Sequence, residues 1–276
     1  MRPETRIESH QFGAMGTSCS LFAIEPHESL LEVEAWIGRL AARLTRFDEG
    51  SEISQLNAAA GEWMEVSADV ESILRDALCA SEMSAGMVNV AVLPSMLAVG
   101  YTRTFSEGAG VATLDQARPL PRLSCVLDLA RGRARVARGA GIDLGGVAKG
   151  WMADRAVKLL GGNAVTNLGG DLMASGPGPD GNGWPIGLGG VTLMLRDQGA
   201  ATSSVRRRRW GDLHHLIDPR SGLPARTGLE EVSIVASSGF EAEVFAKTAL
   251  LLGPDLAPAY CAAHALAWWL GGRDDC

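Results

Sequence analysis

The sequence has no C-x-x-C pair, no long apolar run and no excess of positive charge. Its five cysteines are scattered, which argues against structural zinc, and their odd number leaves at least one unpaired. Unpaired cysteines favour a reducing compartment. Apolar runs of about 18 residues are absent, and residues 1–12 carry charges instead of a signal-peptide core. These absences predict a cytoplasmic protein without membrane insertion.

The small number of positive charges limits which molecules the protein can bind. The 25 Lys and Arg residues against 32 Asp and Glu give a formal net charge of −7. Such a surface does not neutralise many phosphates, so nucleic acid is not expected as a partner, although a nucleotide can still find local positive charge. With 276 residues and 46% hydrophobic content, the chain can bury a sizeable core. We expect one domain over residues 1–276, or two interleaved lobes within it.

Hydrophobic periodicity predicts helices and strands in mixed order. A capping box of Ser29 and Glu32 begins a helix whose apolar face is Leu30, Val33, Ile37, Leu40 and Leu44. Further helices are predicted at residues 67–85, 147–160 and 241–252. Strands are predicted at residues 17–24, 164–167, 186–188, 213–217 and 232–236, with a hairpin of residues 125–129 and 134–136 and a closing apolar run at 266–270. Because the elements do not alternate strictly, the expected fold class is α+β, with mixed or antiparallel sheets flanked by helices.

One glycine-rich stretch, residues 176–183, contains GPGPDG and so matches the G-x-G-x-x-G pattern of dinucleotide-binding loops. That function needs a strand before the glycines and a helix directly after them. Prolines and the sequence NGWP stand here instead, so the stretch is predicted to be a loop.

The segment DLGGVAKG, residues 143–150, lies at a predicted junction between a strand and a helix. Free amide groups at a helix N-terminus suit a phosphate, and Lys149 would add positive charge. The alternative is a glycine turn with a solvated lysine. NLGGD, residues 167–171, repeats the pattern after another strand, and it too could be only a tight bend.

The segment HLIDPRSGLP, residues 215–224, places a histidine at the end of a predicted strand. His215 could accept a proton or bond to a phosphate, or it could be purely structural. Alternation along the strand predicts that its neighbour His214 is the solvent-exposed one.

Glu243 and Lys247 share one face of the last long helix. They could form an exposed ion pair, but the apolar run AEVFAKTALLLG around them favours side chains that point into a site. Four consecutive arginines, residues 206–209, follow ATSS, and most of them are expected to be solvated because only alternate residues of a strand face one ligand.

Taken in order, these segments resemble the ApbE family of FAD:protein FMN transferases. The resemblance covers residues 13–253, through AMGT (14–17), SEISQLN (51–57), DLGGVAKG, NLGGD, ATSS (201–204), HLIDPRSGLP and AEVFAKTALLLG. It implies a T-fold-like architecture and an enzyme that cleaves FAD, transfers FMN to a Thr or Ser hydroxyl of an acceptor flavoprotein and releases AMP, with help from Mg²⁺.

The resemblance also implies roles for individual residues. His215 would be the base near the reacting phosphate, and Lys149, which the motif shares, is a further candidate catalytic residue. Lys247 is a third candidate, but on the ground of its own chemistry and not of the resemblance. Residues against FAD would be Met15, Phe47, Met87, Val88, Asn89, Asp143, Lys149 and Ile217. Phe47 stands where the family often has tyrosine, and it could stack on a flavin or adenine ring.

The sequence departs from the family at the magnesium site. Glu243 and Lys247 stand where family members commonly have Asp and Thr, and Asn89 replaces a further aspartate. An ammonium has no lone pair for a metal. Either Glu243 and the Gly146 carbonyl still hold a weakly bound Mg²⁺, or the Lys247 ammonium takes over part of the cation's task.

Other functions stay open at this point. FAD pyrophosphatase activity, with water as acceptor, is a second enzymatic hypothesis, and an FAD-binding protein without turnover is a third. A nicotinamide-dependent dehydrogenase is a distant fourth that depends only on GPGPDG.

Overall fold

A computed structural model describes residues 6–272 and contains a seven-stranded sheet with helices packed on one face. The strands are β1 (Glu8–Ala14), β2 (Thr17–Ala23), β3 (Met64–Glu65), β4 (Leu127–Ala130), β5 (Arg133–Val136), β6 (Ala164–Leu168), β7 (Asp171–Ser175), β8 (Trp184–Leu188), β9 (Val191–Leu195), β10 (Gln198–Ser204), β11 (Arg209–Trp210), β12 (Leu213–His214), β13 (Ile217–Asp218), β14 (Leu223–Pro224), β15 (Leu229–Ala236) and β16 (Ala267–Gly272). The α-helices are α1 (Leu30–Leu44), α2 (Glu52–Ala58), α3 (Ala68–Met83), α4 (Leu93–Ala98), α5 (Ala148–Leu159), α6 (Gly239–Leu252) and α7 (Ala257–His264).

The strands of the large sheet follow the order β1-β2-β6-β7-β10-β15-β16, and all neighbours pair antiparallel. Helices α1, α5 and α6 pack against one face. On the other face, Trp184, Leu188 and Leu195 of the β8–β9 hairpin pack with Val165 and Leu172 in a second apolar cluster. The α+β class with antiparallel sheets and flanking helices is confirmed.

Helix α6 is buried around most of its circumference, as expected for a helix with apolar residues on most of its sides. Its N-terminus is held twice. Ser238 Oγ accepts a hydrogen bond from Glu241 N at 3.1 Å, and the Asp154 carboxylate on α5 accepts from Gly239 N at 2.6 Å and Phe240 N at 3.0 Å. These bonds fix α6 against α5, and the candidate site lies between the two helices.

Most of the predicted helices and strands are confirmed, although their first and last residues differ slightly from the prediction. The capping box of α1 is present, and the other predicted helices correspond to α3, α5 and α6. The hairpin is β4–β5, and residues 176–183 form the loop between β7 and β8. The single strand predicted at residues 213–217 is wrong, because the chain forms two separate two-residue strands, β12 and β13.

None of the helices within residues 6–272 has the length and hydropathy needed to span a membrane. The four cysteines that the structure describes are free, and Cys276 lies outside the described residues.

Candidate active site

Two of the chain's three lysines meet beside a buried carboxylate. Lys149 is the second residue of α5, while Glu243 and Lys247 lie one turn apart on α6. Lys149 Nζ is 3.8 Å and Lys247 Nζ is 3.7 Å from Glu243 Oε1, and only 3% of the Glu243 side chain is exposed. The hypothesis of an exposed ion pair is therefore wrong.

Lys149 also forms an ion pair with a second buried carboxylate. Its Nζ contacts Asp171 Oδ2, and Asp171 is the first residue of β7, directly after the NLGG turn. Both glycine motifs thus contribute to one cluster, which explains why the polar residues of each face inward.

Burial weakens the proton affinity of both ammonium groups. Desolvation lowers the pKa of Lys149 to about 8, the Glu243 carboxylate opposes that change, and the Lys247 and Arg208 charges add to it. Desolvation likewise lowers the pKa of Lys247, again against the influence of Glu243. Lys149 therefore titrates in an accessible pH range.

The turn before α5 presents a carbonyl group to the cluster. Lys247 Nζ donates a hydrogen bond to Gly146 O at 2.5 Å. Two amides at this helix N-terminus are not free, since Ala148 N bonds to Leu144 O and Gly150 N donates to Glu243 Oε2 at 2.9 Å. The side-chain cations of Lys149 and Lys247 add positive charge for an anion here.

Arg208 brings the β1–β2 turn to the site. Met15 and Gly16 have φ values of 53° and 68°, as a tight two-residue hairpin turn requires. Arg208 Nη2 donates to Met15 O at 3.3 Å, and Arg208 O accepts from His215 N at 3.3 Å. No carboxylate among the described residues forms a salt bridge with Arg208, so its charge is available to a ligand. Arg206, Arg207 and Arg209 are exposed, in agreement with the expectation for this run.

The imidazole of His215 is held neutral by its surroundings. Desolvation, together with the charges of Arg208 and Lys247, lowers the pKa of His215 well below its ordinary value. Its Nδ1 atom is buried, and none of residues 6–272 forms a hydrogen bond with it. The ring can therefore accept a proton, and an anion that neutralises the two cations would raise its pKa toward the working range.

The prediction that His214 is the exposed histidine is wrong. Only 7% of His214 is exposed, its Nε2 lies 2.9 Å from Ala225 O, and its Nδ1 accepts from Leu216 N at 3.2 Å. Alternation does not apply, because β12 ends at His214. His214 holds the local backbone, which leaves His215 for a ligand.

An arginine joins the DLGG turn to an aromatic cluster. Arg46 Nε donates to Asp143 Oδ2 at 2.5 Å, and Arg46 Nη2 donates to Tyr101 O at 2.6 Å. Its guanidinium lies 4.2 Å from the ring centroid of Phe47 and 4.8 Å from that of Tyr101. The Asp143 carboxylate is thereby held in place.

The aromatic cluster consists of Phe47, Tyr101, Phe105 and Trp210. The Phe47 and Tyr101 centroids are 5.6 Å apart, and those of Tyr101 and Trp210 are 5.5 Å apart. Phe47 and Phe105 remain 38% and 42% exposed. Exposed rings beside cations suit a planar aromatic ligand.

The remaining predicted residues lie around this cluster. The 87–89 segment is tied to the DLGG turn because Asp143 N donates to Val90 O at 2.8 Å. The Val88 side chain is in the core, so only its backbone can meet a ligand, while Met87 and Asn89 are half-buried. Asn89 bonds to Pro121 O and Ala91 N, and Ile217 packs near Tyr101.

The NLGG turn borders a polar cavity of about 460 Å³. Gly169 adopts a φ of 74°, and a Cβ there would lie 2.4 Å from Thr17 Oγ1, so the turn requires glycine. The cavity is lined in part by Thr17, Ser18, Asn167, Thr202 and Arg207. The ATSS and NLGGD segments thus line the same cavity, and Asp171 is the last residue of NLGGD.

Three residues of the site have no clear signal in the sequence. Arg46 and Tyr101 belong to no motif, and Arg208 could not be distinguished from its three arginine neighbours. Their places depend on contacts with distant parts of the chain, such as the Arg46–Asp143 bond across 97 residues.

Comparison with known proteins gives a consistent result. The model of the ApbE family matches residues 15–269. An FAD:protein FMN transferase of Klebsiella pneumoniae is 28% identical, over 91% of this chain and 83% of the relative. One from Treponema pallidum is also 28% identical, over 84% of this chain and 73% of the relative.

Solved structures share the fold. The apo flavinyl transferase ApbE of Pseudomonas stutzeri has a TM-score of 0.82 at 23% identity and covers 98% of this chain and 92% of its own. The ApbE protein of Thermotoga maritima has a TM-score of 0.82 at 24% identity, with coverages of 96% and 94%.

Proposed function

The chain belongs to the ApbE family, and we propose that it is an FAD:protein FMN transferase. The observation that carries the proposal is the cluster of Lys149, Lys247 and Arg208 around His215, beside an exposed aromatic surface. Cations match a pyrophosphate, the rings match an isoalloxazine or adenine, and a neutral imidazole matches a hydroxyl that must lose its proton.

In the proposed reaction, a Thr or Ser hydroxyl oxygen of the acceptor flavoprotein attacks the phosphorus of the FMN half of FAD. The P–O bond to the AMP half breaks, and AMP leaves with the electron pair. His215 accepts the hydroxyl proton. The cations neutralise the phosphate oxygens, since positioning and charge compensation do most of the work in phosphoryl transfer.

FAD recognition follows from the two parts of the site. Lys149, Lys247 and Arg208 hold the phosphates, and Phe47 lies where a ring of FAD can stack. Asp143 is held by Arg46 and by Gly145 N, which donates to Asp143 Oδ1 at 2.7 Å. Met15, Ile217 and the 87–89 segment complete the predicted contacts.

The magnesium prediction is tested by the chemistry of its oxygen donors. Gly146 O accepts from Lys247, Glu243 Oε2 accepts from Gly150 N, and Glu243 Oε1 faces two ammonium groups. A group of three or more His, Cys, Asp or Glu side chains fit for a metal does not occur within residues 6–272. As they stand, these residues do not fit Mg²⁺, and the proposed reaction has no step that goes through it.

Mixing the protein with FAD and a flavin-accepting domain tests the function. We expect covalent flavin on the acceptor, seen by in-gel fluorescence and by a mass increase of one FMN less one water, with an equal amount of AMP released. FMN formed without an acceptor would indicate a pyrophosphatase instead. Intact FAD bound at one per chain after prolonged incubation would indicate a binding protein without turnover.

FAD affinity is expected to fall at alkaline pH. The pKa of Lys149 is about 8 in the free protein, so its charge is present below pH 8 and is lost as the pH rises through that value. The phosphates of FAD favour the charged form, so binding above pH 8 takes up a proton and the affinity falls up to about tenfold per pH unit. Fluorescence titrations from pH 6.5 to 9.5 measure this effect.

Lys149→Arg is the matched control, because its guanidinium stays charged throughout that range. The variant should bind FAD with a much flatter pH profile. A flat profile for the unmodified protein would exclude the Lys149 charge from FAD binding.

A cytoplasmic location stays a prediction, compatible with the four free cysteines of the described residues. It would require an acceptor flavoprotein in the same compartment, and detection of flavinylated proteins in cell fractions tests it.

A further inference from the structure

Lys247 is positioned to act as a built-in cation of the active site. We propose that its ammonium group binds the reacting phosphate of FAD in place of a divalent metal, so that FMN transfer does not require Mg²⁺. This inference rests on the transferase activity proposed above.

The head group of Lys247 is held by groups of two different elements. Lys247 Nζ donates to Gly146 O at 2.5 Å and lies 3.7 Å from Glu243 Oε1. A Cβ at Gly146 would lie 3.4 Å from Lys247 Cε and 3.3 Å from Nζ, so glycine gives the lysine room against the backbone. The DLGG turn therefore binds this ammonium and fixes its position.

The Lys247 ammonium has more N–H donors than these two partners use. An ammonium has three N–H groups. One is used by Gly146 O and at most one more by Glu243, so at least one remains for a phosphate oxygen. The side chain is 16% exposed, and α6 fixes its stem.

The charges around Glu243 disfavour a second cation there. Glu243 Oε1 has Lys149 Nζ at 3.8 Å and Lys247 Nζ at 3.7 Å. A divalent cation bound to that oxygen would lie next to two positive charges in a partly buried site, where repulsion is poorly screened. Either a metal or two charged lysines can neutralise the phosphate at this position, but not both together. This chain contains the lysines.

The experiment measures FMN transfer and FAD affinity in EDTA and in Mg²⁺, for the unmodified protein, Lys247→Gln and Lys158→Gln. Lys158 is an exposed lysine on α5, so it controls for loss of a surface charge. We expect equal transfer rates in EDTA and Mg²⁺, no heat in a Mg²⁺ titration, and about a 100-fold or larger loss of transfer in Lys247→Gln alone. Lys247→Met, which buries no new polar group, provides a second variant if the glutamine variant does not fold.

Loss of transfer in EDTA with recovery in Mg²⁺ would overturn the inference, as would full activity of the Lys247 variants. If no condition gives transfer, the proposed function fails. The FAD affinities then test whether the Lys247 ammonium binds the phosphate. Metal-independent binding that is weakened by Lys247→Gln supports the ammonium as the phosphate ligand. Binding that is unchanged in the variant, or absent altogether, refutes it.

Discussion

His215→Ala is expected to lower the rate of FMN transfer by about 10² to 10⁴-fold, with a much smaller change in FAD affinity. The imidazole has a buried Nδ1 to which none of the described residues bonds, and its pKa is lowered by desolvation and by Arg208 and Lys247. It is therefore a neutral proton acceptor in a cationic site. Removing it takes away a group needed when the hydroxyl attacks, but leaves the phosphate-binding cations in place.

Single-turnover transfer, measured beside FAD titrations, separates chemistry from binding. His215→Asn is the matched variant, because its amide can keep one hydrogen bond but cannot accept a proton in the reaction. The asparagine variant should be nearly as slow as the alanine variant. If His215→Ala instead lost transfer rate and FAD affinity equally, and His215→Asn restored both, His215 would be assigned to phosphate binding.

The sequence predicts the parts of the molecule whose causes are local. The capping box of Ser29 and Glu32 forms as expected, with Glu32 N bonded to Ser29 Oγ at 3.2 Å and Ser29 N bonded to Glu32 Oε2 at 2.9 Å. Periodicity also finds the apolar face of α1, because a helix face depends on residues only three or four positions apart. The order of strands in the large sheet has no such local cause.

The site is predictable only where a motif lies within one short segment. DLGGVAKG and AEVFAKTALLLG identify Lys149, Glu243 and Lys247, but the spacing on α6 alone cannot tell a buried ion pair from an exposed one. The burial comes from α5 and the sheet, which pack around α6. The place of Arg208 in the site is even less predictable, since its bond to Met15 O joins residues 193 positions apart.

Gly150→Ala is expected to destabilise the protein by about 1–3 kcal/mol or more, against what helix propensity predicts. Gly150 lies within α5, where alanine would normally be favoured by about 1 kcal/mol. In the structure, however, a Cβ at this position would lie 2.3 Å from Gly239 O and 2.9 Å from Phe240 N. Both are backbone atoms, so no side chain can move aside and the two helices would have to separate.

Separation would also affect the site. Gly150 N donates to Glu243 Oε2 at 2.9 Å, and Asp154 binds the first amides of α6 from the same helix. We therefore expect Gly150→Ala to weaken FAD binding together with stability, although the glycine has no side chain to offer a ligand. Urea unfolding and FAD titration of the same preparation measure both effects.

Gly38→Ala is the matched control, since Gly38 lies within α1, is exposed, and a Cβ there would meet nothing within 4 Å. With no contact to oppose it, helix propensity alone applies, and the variant should gain up to about 1 kcal/mol in the free energy of unfolding. FAD affinity should not change, because α1 meets the site only beyond its C-terminal end. If Gly150→Ala were stabilising to the same degree as Gly38→Ala, the close approach of α5 and α6, and with it the buried position of Glu243, would be wrong.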